Sequence, residues 1–200
     1  NAARISSNPD SGVRLLLDLY KARGREYGLP KIRLHLIGHS AGCILHSHLG
    51  TAAIGAGFDL RSASLIAPAV RVDEFDRTLG KAVLRTETKL LVANLTDAAE
   101  RADPTCKPYG HSLLYLVSRS FEDRKETPIL GLERDLVPAR ATLPWGARMM
   151  AVSSPQTTPA RLPSATGLDG GSLSTEATTH GSLDDDKALQ RLVFDFIGKA

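Results

Sequence analysis

The stretch IRLHLIGHSAGCILHSHLG, residues 32–50, joins a short apolar run to a helical segment through a serine between glycines. The apolar positions at its start are Ile32, Leu34, Leu36 and Ile37. They predict a strand that is buried on most sides in a parallel sheet. Residues 38–42 then fit the pattern G-x-S-x-G, in which a sharp turn from strand to helix presents the serine hydroxyl at the carboxyl end of the sheet. The stretch therefore predicts a nucleophile at Ser40.

Small residues surround Ser40 because so tight a turn leaves no room for bulky side chains. Gly38, Ala41 and Gly42 give that room, and the helix predicted to follow, which runs to about Ile54, begins at the serine itself. Its unpaired N–H groups and its positive dipole end point to where an oxyanion would form. We therefore expect the backbone N–H of Ala41 to supply half of an oxyanion hole.

Length and composition indicate one domain over residues 1–200, because 42% hydrophobic content in a chain of this length suffices for one sizeable core. The net charge of +3 comes from Lys and Arg interleaved with Asp and Glu, as on a solvated surface. No basic run is paired with aromatic residues, so we expect no nucleic-acid binding. No apolar run has the length of a membrane span and no signal peptide is recognisable, so we expect a cytoplasmic protein.

Periodicity and turn residues divide the chain into strands that alternate with helices, which predicts a mostly parallel α/β sheet flanked by helices. The predicted helices cover 11–27, 41–54, 110–123 and 184–199, and the predicted strands lie in 32–37, 62–70, 88–103 and 146–154. The third of these strands runs into an acidic loop within its range. Residues 153–179, rich in Ser, Thr, Gly, Pro and Ala, predict a long flexible loop.

Gly38-His39-Ser40-Ala41-Gly42, between a predicted strand and a predicted helix, resembles the nucleophile turn of the α/β-hydrolase superfamily of serine hydrolases, which includes esterases, lipases, thioesterases and peptidases. In that family an insertion after the next strand often forms a cap, so the resemblance makes residues 71–87 a candidate lid; an ordinary packing helix is the alternative. The family also has several strands before the nucleophile. Because only 37 residues precede Gly38, we expect this chain to be the carboxyl part of a longer protein that lacks the N-terminal strands and has an upstream segment.

A serine needs a histidine base within hydrogen-bond reach and an acid that orients the base. The family's order is nucleophile, acid, histidine, and its histidine lies after the last strand and before the terminal helix. His180, in TTHGSLDDD, has that position. His39, the variable residue of the turn, is expected to point elsewhere. No catalytic role is expected for the remaining histidines: His35, His46, His48 and His111.

The acid is expected in the loop after the third strand, which offers three carboxyl groups. Asp97 comes first, where the strand pattern ends, and this is the family's usual place for the acid. Asp103 is the alternative, because a longer loop could deliver it, and Glu100 is third. The acid used should accept a hydrogen bond from one ring nitrogen of His180 and so fix its tautomer.

The resemblance implies a serine hydrolase that cleaves a small carboxylic ester or thioester through an acyl-enzyme on Ser40, with Asp97 and His180 completing the triad and with no cofactor. The alternative is a non-catalytic binding or scaffold module of the same fold. We expect no metal site, because His46 and His48 are two residues apart on a helix and cannot share a face. Cys43 is expected to be a buried thiol, and a bridge to Cys106 is left open.

Overall fold

Four parallel strands form the central sheet, in the order β1-β2-β3-β4. They are β1 (Arg33–His39), β2 (Asp59–Ile66), β3 (Lys89–Leu95) and β4 (Met149–Ser154). A separate antiparallel pair, β5 (Gln156–Arg161) and β6 (Ser172–Thr175), follows β4. This computed structural model describes residues 8, 10–28, 32–161 and 172–200, and the side chains of 156–161, 172 and 173 are not part of the description.

Helices connect the strands and flank the sheet. In chain order they are α1 (Gly12–Glu26), α2 (Gly42–Gly55), α3 (Val72–Phe75), α4 (Lys81–Val83), α5 (Asp97–Ala102), α6 (Leu113–Leu116), α7 (Glu133–Thr142) and α8 (Lys187–Gly198). Single π-helical turns lie at Asp76–Gly80 and Val117–Phe121, and 3₁₀ turns at Pro144–Arg148 and His180–Ser182. Among the described residues, no helix is both long and apolar enough to cross a membrane.

The sheet separates two apolar clusters because successive strand residues point to opposite faces. On β3, Leu90 and Val92 join the cluster that contains Cys43 and Trp145. The alternate residues of β3 join the other cluster, which α8 covers. The buried residues of α8 are Leu189, Leu192, Val193 and Phe196. An α/β fold with a mostly parallel sheet and flanking helices is therefore confirmed.

Residues 71–87 pack into the core on the α2 side of the sheet. Phe75, Leu79 and Val83 are fully buried there. Gly80 lies so close to the indole of Trp145 that an added Cβ would stand 2.7 Å from a ring carbon. These contacts favour the packing helix over the lid for this segment, because its apolar side chains face the core.

Three regions differ from the sequence-based prediction. The acidic segment after β3, predicted as a loop, forms helix α5, which Thr96 caps by accepting the Ala99 N–H. No sequence pattern predicted α7, which has Pro138 in its interior and buries only Leu136 and Ala139. At the two ends of the loop predicted over 153–179, β5 and β6 pair with each other, whereas residues 162–171 lie outside the described part of the chain. The hairpin was missed because its strands are polar and have no alternating apolar pattern.

Candidate active site

Ser40 occupies a turn between the end of β1 and the start of α2, as the sequence predicts. Its backbone has φ +52°, in the left-handed region that a side chain rarely adopts and that costs on the order of 1 kcal/mol. Two hydrogen bonds hold the turn against the end of β2: the Ser40 N–H donates to the Ile66 carbonyl at 2.9 Å, and the Ala69 N–H donates to the Ser40 carbonyl at 3.1 Å. The strained turn is thus fixed by the neighbouring strand.

The glycines beside Ser40 contribute unequally to this turn. A Cβ added to Gly38 would stand 2.7 Å from Nδ1 of His46 and 3.3 Å from the sulfur of Cys43, so α2 can approach β1 only over a glycine. A Cβ added to Gly42 would meet nothing within 4 Å. The close approach of helix and strand therefore depends on Gly38, and the space expected around Gly42 is not used for packing.

His180 lies beside Ser40, although 140 residues separate them in the chain. Its Nε2 atom is 2.9 Å from the Ser40 Oγ, and the His180 side chain is buried, with 5% of the residue exposed. The 3₁₀ turn His180–Ser182 carries it, and Thr179 and Ser182 close a reciprocal capping box around this turn. The structure thus brings together the predicted nucleophile and the predicted base.

The carboxylate at His180 is that of Asp103, the alternative acid. Asp103 is 1% exposed, and its Oδ2 accepts the main-chain N–H of His180 at 2.8 Å. Its other oxygen accepts both the N–H and the hydroxyl of Thr105. The Nδ1 atom of His180 is buried and has no hydrogen-bond partner among the described residues. Asp103 therefore holds the main chain of His180, whereas the expected bond to the ring is not present.

Asp97, the expected acid, has other partners. The Tyr115 hydroxyl donates to its Oδ1 at 2.5 Å, and Arg101 donates to its Oδ2 at 2.8 Å. Burial raises the pKa of Asp97, but these two hydrogen bonds and the positive charges of Arg101 and Arg134 together outweigh it and lower the pKa below the ordinary value. No hydrogen bond among the described residues joins Asp97 to His180. The structure therefore places Asp103, and not Asp97, beside His180.

The packing of the Tyr115 ring stabilises its hydrogen bond to Asp97. Its ring is fully buried. The guanidinium carbons of three arginines lie 4.5–5.7 Å from the ring centroid: Arg101, Arg119 and Arg134. A ring packed in this way directs its hydroxyl to one place, which is the Asp97 carboxylate.

The buried position of His180 favours its neutral form. Burial, together with the positive charge that His39 can carry, lowers the pKa of His180 to about 4, although the negative charges of Asp103 and Asp184 oppose this shift. At neutral pH the ring is therefore uncharged, which is the form that can accept a proton. Its position and its protonation state both fit a general base.

His39 contacts the His180 turn, contrary to the expectation that it points elsewhere. Its Nε2 atom is 3.2 Å from the main-chain oxygen of His180, and its Nδ1 is 3.8 Å from Oδ2 of Asp184. The two imidazole rings have centroids 5.1 Å apart. The sequence signal was the position of His39 next to Ser40, but a strand pattern alone does not show what lies beyond the sheet edge.

The other candidate residues have simpler surroundings. Ala41 is exposed at the start of α2, and none of the hydrogen bonds between described residues uses its N–H. His35 Nδ1 forms a hydrogen bond of 2.8 Å with the Ser62 Oγ, and His48 Nε2 lies 3.1 Å from Oε1 of Glu74. Within the described ranges, no three His, Cys, Asp or Glu residues are grouped as metal ligands.

Both cysteines are free thiols, so the bridge left open by the sequence is absent. Cys43 is fully buried behind the turn, and burial raises the pKa of its thiol to about 12, although a hydrogen bond to the Ile66 carbonyl opposes this. A thiol with this pKa stays protonated at neutral pH and is a poor nucleophile. Ser40 is therefore the candidate nucleophile at this site.

The chain matches no protein-family model, no curated protein and no solved structure.

Proposed function

We propose that this protein is a serine hydrolase that cleaves a carboxylic ester or thioester through an acyl-enzyme on Ser40. The observation that supports it most is the 2.9 Å distance between Ser40 Oγ and His180 Nε2, at a strained turn with φ +52°. A strained residue in hydrogen-bond contact with a neutral imidazole is the arrangement that activates a serine. Neither feature alone would support the proposal, because both occur separately in structural roles.

The proposed reaction starts with attack of the Ser40 oxygen on the substrate carbonyl carbon. The hydroxyl proton moves to Nε2 of His180, and the carbonyl oxygen becomes an oxyanion. The proposed donors to this oxyanion are the Ala41 N–H, which no hydrogen bond between described residues uses, and the start of α2. When the intermediate collapses, the His180 proton passes to the leaving alkoxide or thiolate, and a water molecule deprotonated by the same nitrogen later releases the acid.

Asp103 is the proposed acid of this system. Its charge raises the pKa of His180 and so favours the imidazolium that forms when Ser40 loses its proton. It also holds the main-chain N–H of His180, which limits movement of the loop that carries the base. Its contribution is thus to stabilise the charge and to position the base.

The finer fold assignment, an α/β-hydrolase-like sheet without its first strands, belongs to the same proposal. Ser40 after β1, an acid beyond β3 and His180 beyond β4 support it, because all three lie past the carboxyl ends of parallel strands. Among the described strands β1 pairs only with β2, and Ile37 on β1 is 46% exposed. This exposed edge supports the presence of further strands beside β1.

A non-catalytic binding module is the second candidate function. One observation favours it: Nδ1 of His180 is buried and lacks a hydrogen-bond acceptor, so the ring tautomer is not fixed as in a working triad. Such a protein would keep the fold and the Ser40–His180 contact and would show no activated serine. The two candidates therefore differ in the reactivity of one hydroxyl.

Labelling with a fluorophosphonate probe tests the proposal. Cleavage after Arg33 and Arg61 yields a peptide with both Ser40 and Ser47, so fragmentation of this peptide must place the adduct. Adduct on Ser40 that is lost in His180→Ala and retained in His48→Ala supports the hydrolase, because His48 pairs with Glu74. No adduct on folded wild-type protein supports the binding module. Hydrolysis of an aryl ester and of an acyl thioester by the unlabelled wild-type protein, with Ser40→Ala as the control, then compares the two substrate classes.

A further inference from the structure

The main chain of His180 is held at both of its polar groups. Asp103 accepts its N–H at 2.8 Å, and His39 lies with Nε2 at 3.2 Å from its carbonyl oxygen. A carbonyl only accepts hydrogen bonds, so the His39 Nε2 must carry a hydrogen. This fixes the tautomer of neutral His39, with Nδ1 left to face the Asp184 carboxylate at 3.8 Å.

His39 and Ser40 are consecutive residues that bind the same histidine in two ways. Ser40 contacts the ring of His180, and His39 contacts its main chain. The base comes from a loop 140 residues away, and the ring makes no hydrogen bond through Nδ1 within the described residues. In a site whose acid accepts a hydrogen bond from the ring, that bond orients the base. Here the orientation of His180 depends more on the contacts of its main chain.

We propose that His39 is a positioning residue, which holds the His180 turn against the strand end that carries the nucleophile. This inference rests on the proposed function of Ser40 and His180. Charged groups face His180 from three elements: His39 from the end of β1, Asp103 from the segment after α5, and Asp184 from the segment before α8. A positive charge on His39 opposes protonation of His180, whereas the negative charges of Asp103 and Asp184 favour it.

Two substitutions separate the hydrogen bond from the charge. His39→Leu removes both, and His39→Gln keeps an N–H donor without the charge. The measurement is the second-order rate constant for fluorophosphonate labelling of Ser40 across the pH range, with His48→Gln as the control away from the site. We expect a loss of about tenfold for His39→Leu and less than about threefold for His39→Gln, as for loss or retention of one hydrogen bond.

The pH profile gives a readout that a merely structural role would not move. Both His39 variants should raise the pH midpoint of labelling, because the positive charge that opposes protonation of His180 is gone, whereas the control should not move it. Wild-type rate and midpoint in His39→Leu would overturn the inference. If His39→Leu does not fold, His39→Gln still decides, since an unchanged midpoint or a loss beyond about tenfold contradicts the proposed roles.

Nuclear magnetic resonance of ¹⁵N-labelled imidazoles distinguishes failure of this inference from failure of the proposed function. Absence of wild-type labelling would refute the hydrolase, but the Nε2 signal of His180 would still report its contact with Ser40. Ser40→Ala should shift this signal in the wild-type background and shift it much less in the His39→Leu background. If His39→Leu is unfolded, the comparison uses His39→Gln, in which Ser40→Ala should shift the signal about as much as in wild type. If Ser40→Ala shifts the His180 signal equally in the wild-type and His39→Leu backgrounds, the positioning role is overturned.

Discussion

Replacing Glu100 with Gln should make the protein more stable, relative to wild type, above neutral pH than in acid. Glu100 on α5 is completely buried, and neither carboxylate oxygen has a hydrogen-bond partner that meets normal geometry among the described residues. Burial raises the pKa of Glu100 to about 7; the nearby Ser112 hydroxyl opposes this shift, and the charges of Asp103 and Asp97 add to it. The folded protein therefore holds this carboxyl group in its protonated form at mildly acidic pH.

The magnitude follows from the difference between the two pKa values. The ordinary pKa is 4.5 and the folded value is about 7. At about 1.4 kcal/mol for each pH unit, the full effect is roughly 3 kcal/mol. Below pH 4.5 both the folded and the unfolded chain keep the proton. As pH rises from there to about 7, the unfolded chain releases it first, so the wild type loses stability until both states are ionised.

Urea unfolding followed by the fluorescence of Trp145 measures this effect at about pH 4 and about pH 8. Gln does not ionise, so the stability of Glu100→Gln relative to wild type should rise between these conditions by roughly 3 kcal/mol. Any constant cost of the buried amide cancels in the comparison. The control is Glu87→Gln, whose side chain is 89% exposed and should show no such rise. A Glu100→Gln difference that is the same at both pH values would refute the reasoning.

Three more outcomes are expected. Serine labelling should stay constant from about pH 8 to about pH 5 and fall near pH 4, because buried His180 remains neutral; a midpoint at the ordinary 6.5 would contradict this. Asp103→Asn should slow labelling about tenfold, since a charge-assisted bond becomes a neutral one, and Asp97→Asn should change the rate less than about threefold. Iodoacetamide mapped by mass spectrometry should modify Cys106 in the folded protein and Cys43 only after unfolding, because Cys43 is fully buried.

The strands and the terminal helix were predictable because their information is local. The apolar run before Ser40 and the helical spacing of Leu189, Leu192 and Phe196 each lie within one element. Burial then follows from the face on which these residues fall. By contrast, β5 is a strand because it pairs with β6 across an intervening segment, and polar sequences do not encode such pairing locally.

Helix α1 forms where the sequence predicts it, but only Leu17 among its residues is buried. It lies within the predicted range 11–27, and the Ser11 side chain caps it by accepting the Arg14 N–H. Leu17 is 6% exposed, but its apolar neighbours Leu16 and Tyr20 are each 52% exposed. An amphipathic pattern fixes which residues share a face, and only the surrounding structure decides whether that face is covered.

Asp103 could not be preferred to Asp97 as the proposed acid from the sequence, because their contacts depend on residues far away in the chain. Asp97 lies where the strand pattern ends, but Tyr115, 18 residues later, occupies its Oδ1. Asp103 lies beyond α5, and its partner His180 is 77 residues away. The sequence shows only how far each carboxylate lies from the end of the strand. In the folded chain, the hydrogen-bond donors that reach each carboxylate decide which one lies at His180.

Asp97, Glu100 and Asp103 are spaced three residues apart along α5 and its end, so three ionised carboxylates here would repel one another. The fold gives each a different environment. Asp97 is ionised against Arg101 and Tyr115, and Asp103 accepts N–H groups of Thr105 and His180. Glu100, buried between them in sequence, holds a proton near neutral pH. That proton reduces the repulsion between Glu100 and the Asp103 carboxyl group, which is itself buried beside the candidate base.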